Sequence, residues 1–270
     1  MRRDDVFVYA DQPNKRLVYV GRPADEGYWD DHWSGDEAAK AVRRKDRFVV
    51  KETAARLPKG SKVVDGGCGL AQTVFGLHHS GFDAYGIDYA PKTVDLVRRV
   101  APELKISLGD VRDLRQFADE YFDGFWSLGV IEHFYDGYDQ IVSEMYRLIC
   151  PGGYAFVTVP SMSPLRRLKA KLGFYPSIVG RDTAGFYQFI LSPRSIVQEF
   201  EEHGFRFVSS KPRGGFKGLK DEAGFLRAPL QTFYEMKHPV ARIIRTGLDI
   251  LISPFSFHTR LYVFQKPRIR

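Results

Sequence analysis

An eight-residue stretch, residues 62–69, constrains the fold more than any other part of the chain. It reads Lys-Val-Val-Asp-Gly-Gly-Cys-Gly, a short apolar strand that ends in Asp65 and continues into a glycine-rich turn. Gly66, Gly67 and Gly69 have no Cβ, so the turn can adopt positive φ and bring its backbone close to a ligand. Because a carboxylate at the mouth of this turn repels phosphate, the stretch predicts a ligand that carries a positive group.

Further carboxylates follow at the ends of later strands. Asp88 closes a second short strand 23 residues after Asp65, and nucleotide-binding α/β units place a ribose-binding acid about 20 residues beyond the glycine-rich turn. Asp110 follows a third apolar stretch in the same way. This third stretch, residues 104–108, is a strand candidate, and the later candidates up to residue 160 are 123–128 and 154–159. Since helices separate these strands, the pattern predicts a mainly parallel sheet with both faces covered.

This order of motifs resembles the class I S-adenosylmethionine-dependent methyltransferases, in the branch that acts on small molecules, lipids and glycans. In that family the pattern acid-x-Gly-x-Gly-x-Gly closes the first strand. Asp65, Gly67 and Gly69 match it, whereas Ala71 stands at the last glycine position. The segment 128–133, Leu-Gly-Val-Ile-Glu-His, and the turn Pro-Gly-Gly at 151–153 also match.

The resemblance implies an S-adenosylmethionine site and the residues that would form it. Asp65 would complement the ammonium group, and Asp88 would accept hydrogen bonds from two ribose hydroxyls, which are strong when the acceptor is charged. Asp110 would meet the adenine edge. The full set of implied cofactor contacts is Asp65, Gly66, Gly67, Gly69, Asp88, Tyr89, Asp110, Val111 and Leu128.

The fold implied by the resemblance is a Rossmann-like α/β fold. It has a seven-stranded, mainly parallel sheet with an antiparallel last strand, helices on both faces and substrate-binding insertions. Helices are expected at about residues 36–57, 73–79, 91–100, 138–149, 194–203 and 239–252. The expected divisions are an N-terminal hairpin and aromatic lid segment (1–34), the cofactor-binding core (35–160), an insertion (161–191), a core helix and strand (192–210), an insertion with an amphipathic helix (211–257), and the last strand and tail (258–270).

His133 is the candidate catalytic residue. Its ordinary pKa near 6.5 suits proton removal at neutral pH, although a histidine that only shapes its loop is the alternative. Tyr28 and Trp33, together with Trp29, are candidates for a lid, because an aromatic face near a sulfonium gains about 0.5–2 kcal/mol; packing at a helix entry is the alternative. Methyl transfer requires no metal, and the seven histidines show no zinc-type spacing.

Two rival nucleotide sites fit the sequence less well. A dinucleotide-binding dehydrogenase needs glycine or alanine at the position that Gln72 occupies, and its pyrophosphate would face Asp65. A P-loop needs Lys-Ser or Lys-Thr after a glycine-rich turn, and the sequence contains no such motif.

Charge is distributed unevenly along the chain. Residues 161–270 contain 19 Lys and Arg against 8 Asp and Glu, which predicts an anionic partner, unless the basic face is merely solvated. The two cysteines, Cys68 and Cys150, form no paired motif, and no signal-peptide pattern is present near residue 1. These features predict a cytoplasmic protein, with contact to a membrane surface as a further possibility.

The helix expected at 239–252 could provide that contact. Val240, Ile243, Ile244, Leu248 and Leu251 recur at helical spacing, with Arg242 and Arg245 elsewhere on the helix. A stripe packed on the domain and a basic amphipathic surface that touches an anionic membrane are the two alternatives. The Arg, Lys and Leu residues at 165–172 favour the surface that touches a membrane.

The acceptor is expected to be a small molecule, a glycan or a lipid-linked compound, with O-methylation favoured. Base N-methylation is disfavoured because the stretch 127–130 reads Ser-Leu-Gly-Val rather than Asn/Asp-Pro-Pro-aromatic. Two alternatives stay open: an RNA-directed methyltransferase that uses the basic C-terminal part, and a cofactor-binding interaction module without catalysis.

Overall fold

The structure, a computed structural model, describes residues 6–224, 227–236 and 238–268. Within these ranges the strands are β1 (Phe7–Asp11), β2 (Arg16–Val20), β3 (Lys62–Gly66), β4 (Asp83–Asp88), β5 (Lys105–Leu108), β6 (Phe122–Leu128), β7 (Ile149–Pro160), β8 (Phe186–Ile190), β9 (Arg206–Arg213) and β10 (Thr259–Gln265). The helices are α1 (Glu26–His32), α2 (Asp36–Val42), α3 (Arg47–Ala54), α4 (Gln72–His78), α5 (Pro91–Val100), α6 (Asp139–Leu148), α7 (Pro164–Lys171), α8 (Pro193–Glu202), α9 (Gly215–Glu222), α10 (Arg227–Glu235) and α11 (Pro239–Ser256). A short 3-10 turn, Ile131–His133, follows β6.

A seven-stranded sheet with the order β5-β4-β3-β6-β7-β10-β9 forms the centre of the fold. The pairs from β5 to β7 are parallel, whereas β10 is antiparallel to both β7 and β9. The predicted mainly parallel sheet with an antiparallel last strand is therefore confirmed. Because the carboxyl ends of parallel strands meet at one edge, Asp65, the next-to-last residue of β3, and Asp88, the last residue of β4, lie at the same edge of the sheet.

Alternating side chains of the sheet supply both halves of the core. Val63 and Trp126 face one cluster, which α3, α4 and α5 cover, and Val64 and Phe125 face the other, which α6 and α8 cover. These four side chains are fully buried. Strands with apolar residues on both faces need helices on both sides, so the alternating helices of the sequence complete the fold.

The helix predicted at 36–57 is in fact two helices. α2 ends at Val42, and Asp46 starts α3 by accepting hydrogen bonds from the backbone N–H groups of Phe48 and Val49 at 2.9 and 3.2 Å. An aspartate N-cap of this kind satisfies donors that a helix start otherwise leaves unpaired. The helix predicted at 91–100 has the bounds of α5, and α4, α6 and α8 begin and end within one residue of the prediction.

A second, three-stranded sheet lies beside the first and has the order β1-β2-β8. The predicted N-terminal hairpin is present as β1 and β2, which pair antiparallel. Its partner β8 belongs to the segment 161–191, for which the sequence predicted no strand. The hairpin and this insertion thus share one three-stranded sheet.

The two insertions are joined through α7 and α9. The buried guanidinium of Arg166 on α7 contacts Glu222 on α9, with Nε and Oε1 3.0 Å apart. α11 packs on α9 and contacts α7 as well. None of the helices in the described parts of the chain has both the length and the hydropathy that crossing a bilayer requires.

Candidate active site

A cavity of about 400 Å³ opens at the carboxyl ends of β3, β4 and β6. Most of the residues predicted to bind the cofactor line it. The lining residues are Ala24, Trp29, Trp33, Asp46, Asp65, Gly67, Cys68, Gly69, Leu70, Gln72, Thr73, Asp88, Tyr89, Gly109, Asp110, Val111, Arg112, Leu128, Gly129, Val130, His133 and Phe134. Gly66, the last residue of β3, packs against the ring of Phe125, and Tyr28 is buried against Tyr187; neither of these two predicted residues lines the cavity.

The turn after β3 requires glycine at two positions. Gly67 has φ +79°, and a Cβ there would lie 2.5 Å from a methyl of Val130. Gly69 has φ +48°, and a Cβ there would approach the indole of Trp33 to 3.2 Å. Ala71, the departure from the family pattern, also has a positive φ of 53° and precedes α4. An alanine in this left-handed region carries strain that glycine would avoid.

Asp65 is buried and has one oxygen without a partner. The side chain is 2 % exposed, and Oδ1 accepts no hydrogen bond from any described residue. Burial raises the pKa of Asp65 to about 8, and Asp88 and Asp46 act in the same direction while a hydrogen bond from Thr73 opposes them. A buried, unpaired carboxylate oxygen beside a cavity is a site for a cation or a hydrogen-bond donor.

Asp88 is held rigidly by backbone N–H groups. Its Oδ2 accepts from Gly69 N at 2.7 Å and its Oδ1 accepts from Ala90 N at 3.0 Å. Each oxygen retains further acceptor capacity, so two hydroxyl groups of one ligand can bind this carboxylate. Burial raises the pKa of Asp88 although these backbone bonds lower it.

Asp110 differs from the other two carboxylates because it has a cationic partner. The Arg112 guanidinium binds it through Nε and Nη2, with the shortest N–O distance 2.6 Å, and the Arg112 backbone N–H donates to Oδ1. Burial favours a higher pKa for Asp110, but the bonds from Arg112 outweigh it and lower the pKa. Arg112 is the only Lys or Arg among the described residues that line the cavity, and Asp110 balances its charge.

His133 has a defined tautomer. Its Nδ1 lies 2.7 Å from the carbonyl oxygen of Tyr187. A carbonyl only accepts, so Nδ1 carries the proton and Nε2 carries the lone pair. Burial lowers the pKa of His133 to about 4, against the opposing effect of the Tyr187 bond, so the imidazole is neutral at physiological pH.

α1 and Trp33 close one side of the cavity. Trp29 and Trp33 stack with centroids 6.3 Å apart, and Trp29 also meets the His133 ring edge to face at 5.2 Å. Asp30 fastens α1 to the start of α5, since its Oδ1 accepts from both the N–H and the hydroxyl of Thr93 at 3.0 and 3.2 Å. Tyr28 packs on Trp29 and on Tyr187, with ring centroids 5.0 and 5.6 Å apart. A lid role for Tyr28 and Trp33 stays a prediction.

Several lining residues were missed from the sequence. The Asp46 carboxylate acts on the charge of Asp65, Thr73 donates a hydrogen bond to Asp65, and Arg112 binds Asp110. Asp46 could have been found as an N-cap signal before the apolar run 48–50. Outside the cavity, the Tyr175 hydroxyl donates to Glu222, and Phe186 joins the hydrophobic core.

The cavity fits S-adenosylmethionine on chemical grounds. Asp46, Asp65 and Asp88 line the cavity, and no described residue gives the unpaired Asp65 oxygen a cationic partner. A positively charged ligand would supply that partner. The cofactor carries an ammonium and a sulfonium, and two ribose hydroxyls suit the Asp88 carboxylate. The fold and the site together define a nucleoside-binding α/β protein of the Rossmann-like class.

Comparison with known proteins finds a methyltransferase domain within the chain. Residues 64–157 match the family described as Methyltransferase domain. A probable S-adenosylmethionine-dependent methyltransferase of Mycolicibacterium smegmatis is 29% identical over 67% of this chain and 61% of that protein. A ubiquinone biosynthesis O-methyltransferase of Alkalilimnicola ehrlichii is 26% identical over 49% of this chain and 56% of that protein. The chain thus spans less than two thirds of the length of either relative.

A solved structure supports the fold. The TehB-like S-adenosylmethionine-dependent methyltransferase of Corynebacterium glutamicum superposes with a TM-score of 0.53 at 17% identity, over 89% of this chain and 97% of that one. The matched domain and these relatives bear out the resemblance to the class I S-adenosylmethionine-dependent methyltransferases, and the S-adenosylmethionine cofactor, that the order of motifs predicted.

Cofactor binding should weaken as the pH falls. Asp65 is protonated below its pKa of about 8 in the unliganded protein, and a cationic ligand favours the ionised form, so binding releases a proton. The affinity for S-adenosylhomocysteine, measured by calorimetry, should fall by up to about tenfold per pH unit between about pH 8 and pH 6, where its ammonium stays largely charged. Asp65→Asn should remove this dependence; equal affinity of the unchanged protein across the range would contradict the assignment.

Asp88→Ala should weaken S-adenosylmethionine binding at least tenfold, because it removes two charge-assisted hydrogen bonds, each worth about 1.5–3 kcal/mol. Calorimetry measures the affinity, and circular dichroism checks the fold, since Asp88 also holds the turn at Gly69. Asp95→Ala, on the exposed side of α5, is the matched control and should bind normally. A folded Asp88→Ala protein with unchanged affinity would refute the role of Asp88.

Proposed function

We propose that the protein is a methyltransferase that transfers a methyl group from S-adenosylmethionine to a hydroxyl of a small-molecule, glycan or lipid-linked acceptor. The cofactor supplies an electrophilic methyl on a cationic sulfur. The observation that carries the proposal is the neutral His133, with its tautomer fixed by Tyr187, in the same cavity as Asp65 and Asp88. A hydroxyl must lose a proton when it is methylated, and a neutral imidazole can accept it.

The protein's own residues then have three tasks. Asp65 and Asp88 hold the charged and hydroxyl groups of the cofactor, and the backbone bonds to Asp88 fix its orientation in advance. Trp29 and Trp33 cover one side of the cavity and limit access of water. Positioning of this kind can supply about 7–11 kcal/mol of the barrier.

A hydroxyl acceptor has support from a relative. The Alkalilimnicola protein is named as an O-methyltransferase, which agrees with a base in the cavity. The basic balance of residues 161–270 suits an acceptor that carries negative charge.

The test is methyl transfer in a cell extract. The protein is incubated with S-adenosylmethionine labelled on the methyl group, and the extract is separated into lipid, glycan, small-molecule, RNA and protein fractions. Label in the lipid, glycan or small-molecule fraction, strongly reduced with Asp88→Ala, is the expected result. Label in RNA would favour the RNA-directed alternative. Tight cofactor binding without label in any fraction would favour the non-catalytic alternative.

A further inference from the structure

α11 presents its large aliphatic side chains outward. Ile243, Ile250 and Leu251 are 72 %, 72 % and 75 % exposed. The side of α11 that packs on α9 carries small side chains instead. There Ser253 accepts a hydrogen bond from the Gly215 N–H at 3.0 Å, and the Ser256 hydroxyl donates to the Gly215 carbonyl at 2.8 Å. The expected alternative, a stripe packed on the domain, does not hold. Exposed apolar area of this kind marks a contact surface.

α7, which α11 contacts, shows the same arrangement. Leu168 and Leu172 are exposed one helical turn apart, and Arg167 and Lys171 precede each of them by one residue. The inner side of α7 is occupied by the bonds of Arg166 to Glu222. Apolar and cationic side chains therefore share the outer side of this helix, a pattern typical of helices that lie in a membrane interface.

Unpaired cations continue from α7 into a groove of about 870 Å³ between α7, α8 and the β1–β2 turn. Among the described residues that line the groove, Lys15, Arg167, Lys171 and Arg194 make no ion pair. Arg16 pairs with Asp11 at 2.7 Å. These side chains give the groove a positive charge next to the apolar surface.

Two acids lie at the other side of the groove, Asp139 and Glu199. Burial raises the pKa of Glu199 to about 7, and the neighbouring Asp139 adds to the rise. The two carboxylates therefore carry less than two full charges at neutral pH, and the cations outnumber them.

We propose that α7 and α11 dock on an anionic lipid bilayer, with the aliphatic side chains in the interface and lipid phosphates at the cations of the adjoining groove. We call the following exposed residues of α7, its C-cap Leu172 and α11 the docking face: Arg167, Leu168, Lys171, Leu172, Val240, Ile243, Ile244, Leu248, Ile250, Leu251 and Phe255. Charge complementarity selects this occupant, because an apolar surface alone would suit a second protein equally well, whereas unpaired Lys and Arg beside it suit lipid phosphates.

Vesicle sedimentation tests the proposal with the whole chain. The protein should sediment with phosphatidylcholine vesicles that contain phosphatidylglycerol, at low salt, and should remain soluble with phosphatidylcholine alone. High salt should weaken the binding, because exposed charges are screened. A protein that stays in the supernatant with anionic vesicles at low salt would overturn the proposal.

Paired variants separate the two contributions. Ile250→Ser with Leu251→Ser, and separately Arg167→Gln with Lys171→Gln, should each weaken vesicle binding at least tenfold. Val208→Ser, an apolar surface change on β9 outside the docking face, is the control and should bind normally. Vesicle binding that both double variants retain would overturn the proposal. Light scattering tests the competing occupant, a second copy of the chain. If the unchanged protein forms a dimer and does not bind vesicles, and if Ile250→Ser with Leu251→Ser abolishes the dimer, the surface is a dimer interface instead.

Discussion

His133→Ala should lower the rate of methyl transfer about hundredfold while leaving the affinity for S-adenosylmethionine unchanged. General acid–base catalysis contributes about 10²–10⁴-fold to rates. The low end applies here because a base with a pKa of about 4 is neutral at all relevant pH values but weak. Single-turnover rates with the acceptor fraction that takes up label measure the effect, and calorimetry measures cofactor affinity.

A second substitution distinguishes catalysis from a structural role of the same residue. In His133→Asn the side-chain amide nitrogen can take the place of Nδ1 and donate to the Tyr187 carbonyl, yet it offers no basic lone pair. If His133 is the base, the asparagine variant should be as slow as the alanine variant. If His133 only anchors β8 through Tyr187, asparagine should restore most of the rate, and the catalytic assignment would fail.

The pH dependence of the wild-type rate gives a further check on the same residue. Because burial lowers the pKa of His133, protonation should reduce the rate only as the pH falls toward about 4. Between about pH 6 and pH 8 the imidazole should not limit turnover, unlike an ordinary histidine with a pKa near 6.5.

The cofactor side of the site could be predicted because its determinants are local in sequence. Asp65 and Asp88 follow apolar runs directly, and parallel strands bring their ends to one edge without any knowledge of side-chain packing. The positive φ at Gly67 and Gly69 is likewise a property of single residues. The bounds of α5 were predictable because Pro91 fixes its first turn.

Features that depend on distant contacts could not be predicted in the same way. β8 forms a strand because β2 pairs with it across more than 150 residues of sequence, and its own sequence gives no separate signal for that pairing. The orientation of α11 is a similar case. Its periodicity defines an apolar stripe, but only the small residues against α9 determine that the stripe faces outward.

The link between the insertions is a third feature that the sequence did not reveal. Glu222 accepts hydrogen bonds from Arg166 at 3.0 Å, from Lys169 at 2.7 Å and from the Tyr175 hydroxyl at 2.5 Å. Burial favours a higher pKa for Glu222, but Arg166 and Lys169 together with the Tyr175 bond outweigh it and lower the pKa. The ion pair therefore stabilises the fold above the ordinary pKa of glutamate, and this contribution is lost as the pH falls through the lower, folded-state value.

Glu222→Ala should lower the free energy of unfolding by about 3–5 kcal/mol, because it leaves the Arg166 guanidinium, whose side chain is 1 % exposed, buried without a counter-charge. Urea unfolding measures the change. Glu222→Gln keeps one acceptor oxygen and should cost less, whereas Glu201→Ala, an exposed acid on α8, should change stability by no more than about 0.5 kcal/mol. If Glu222→Ala unfolds at the same urea concentration as Glu201→Ala, the link between α7 and α9 does not stabilise the fold, and the two insertions are held together by apolar packing instead.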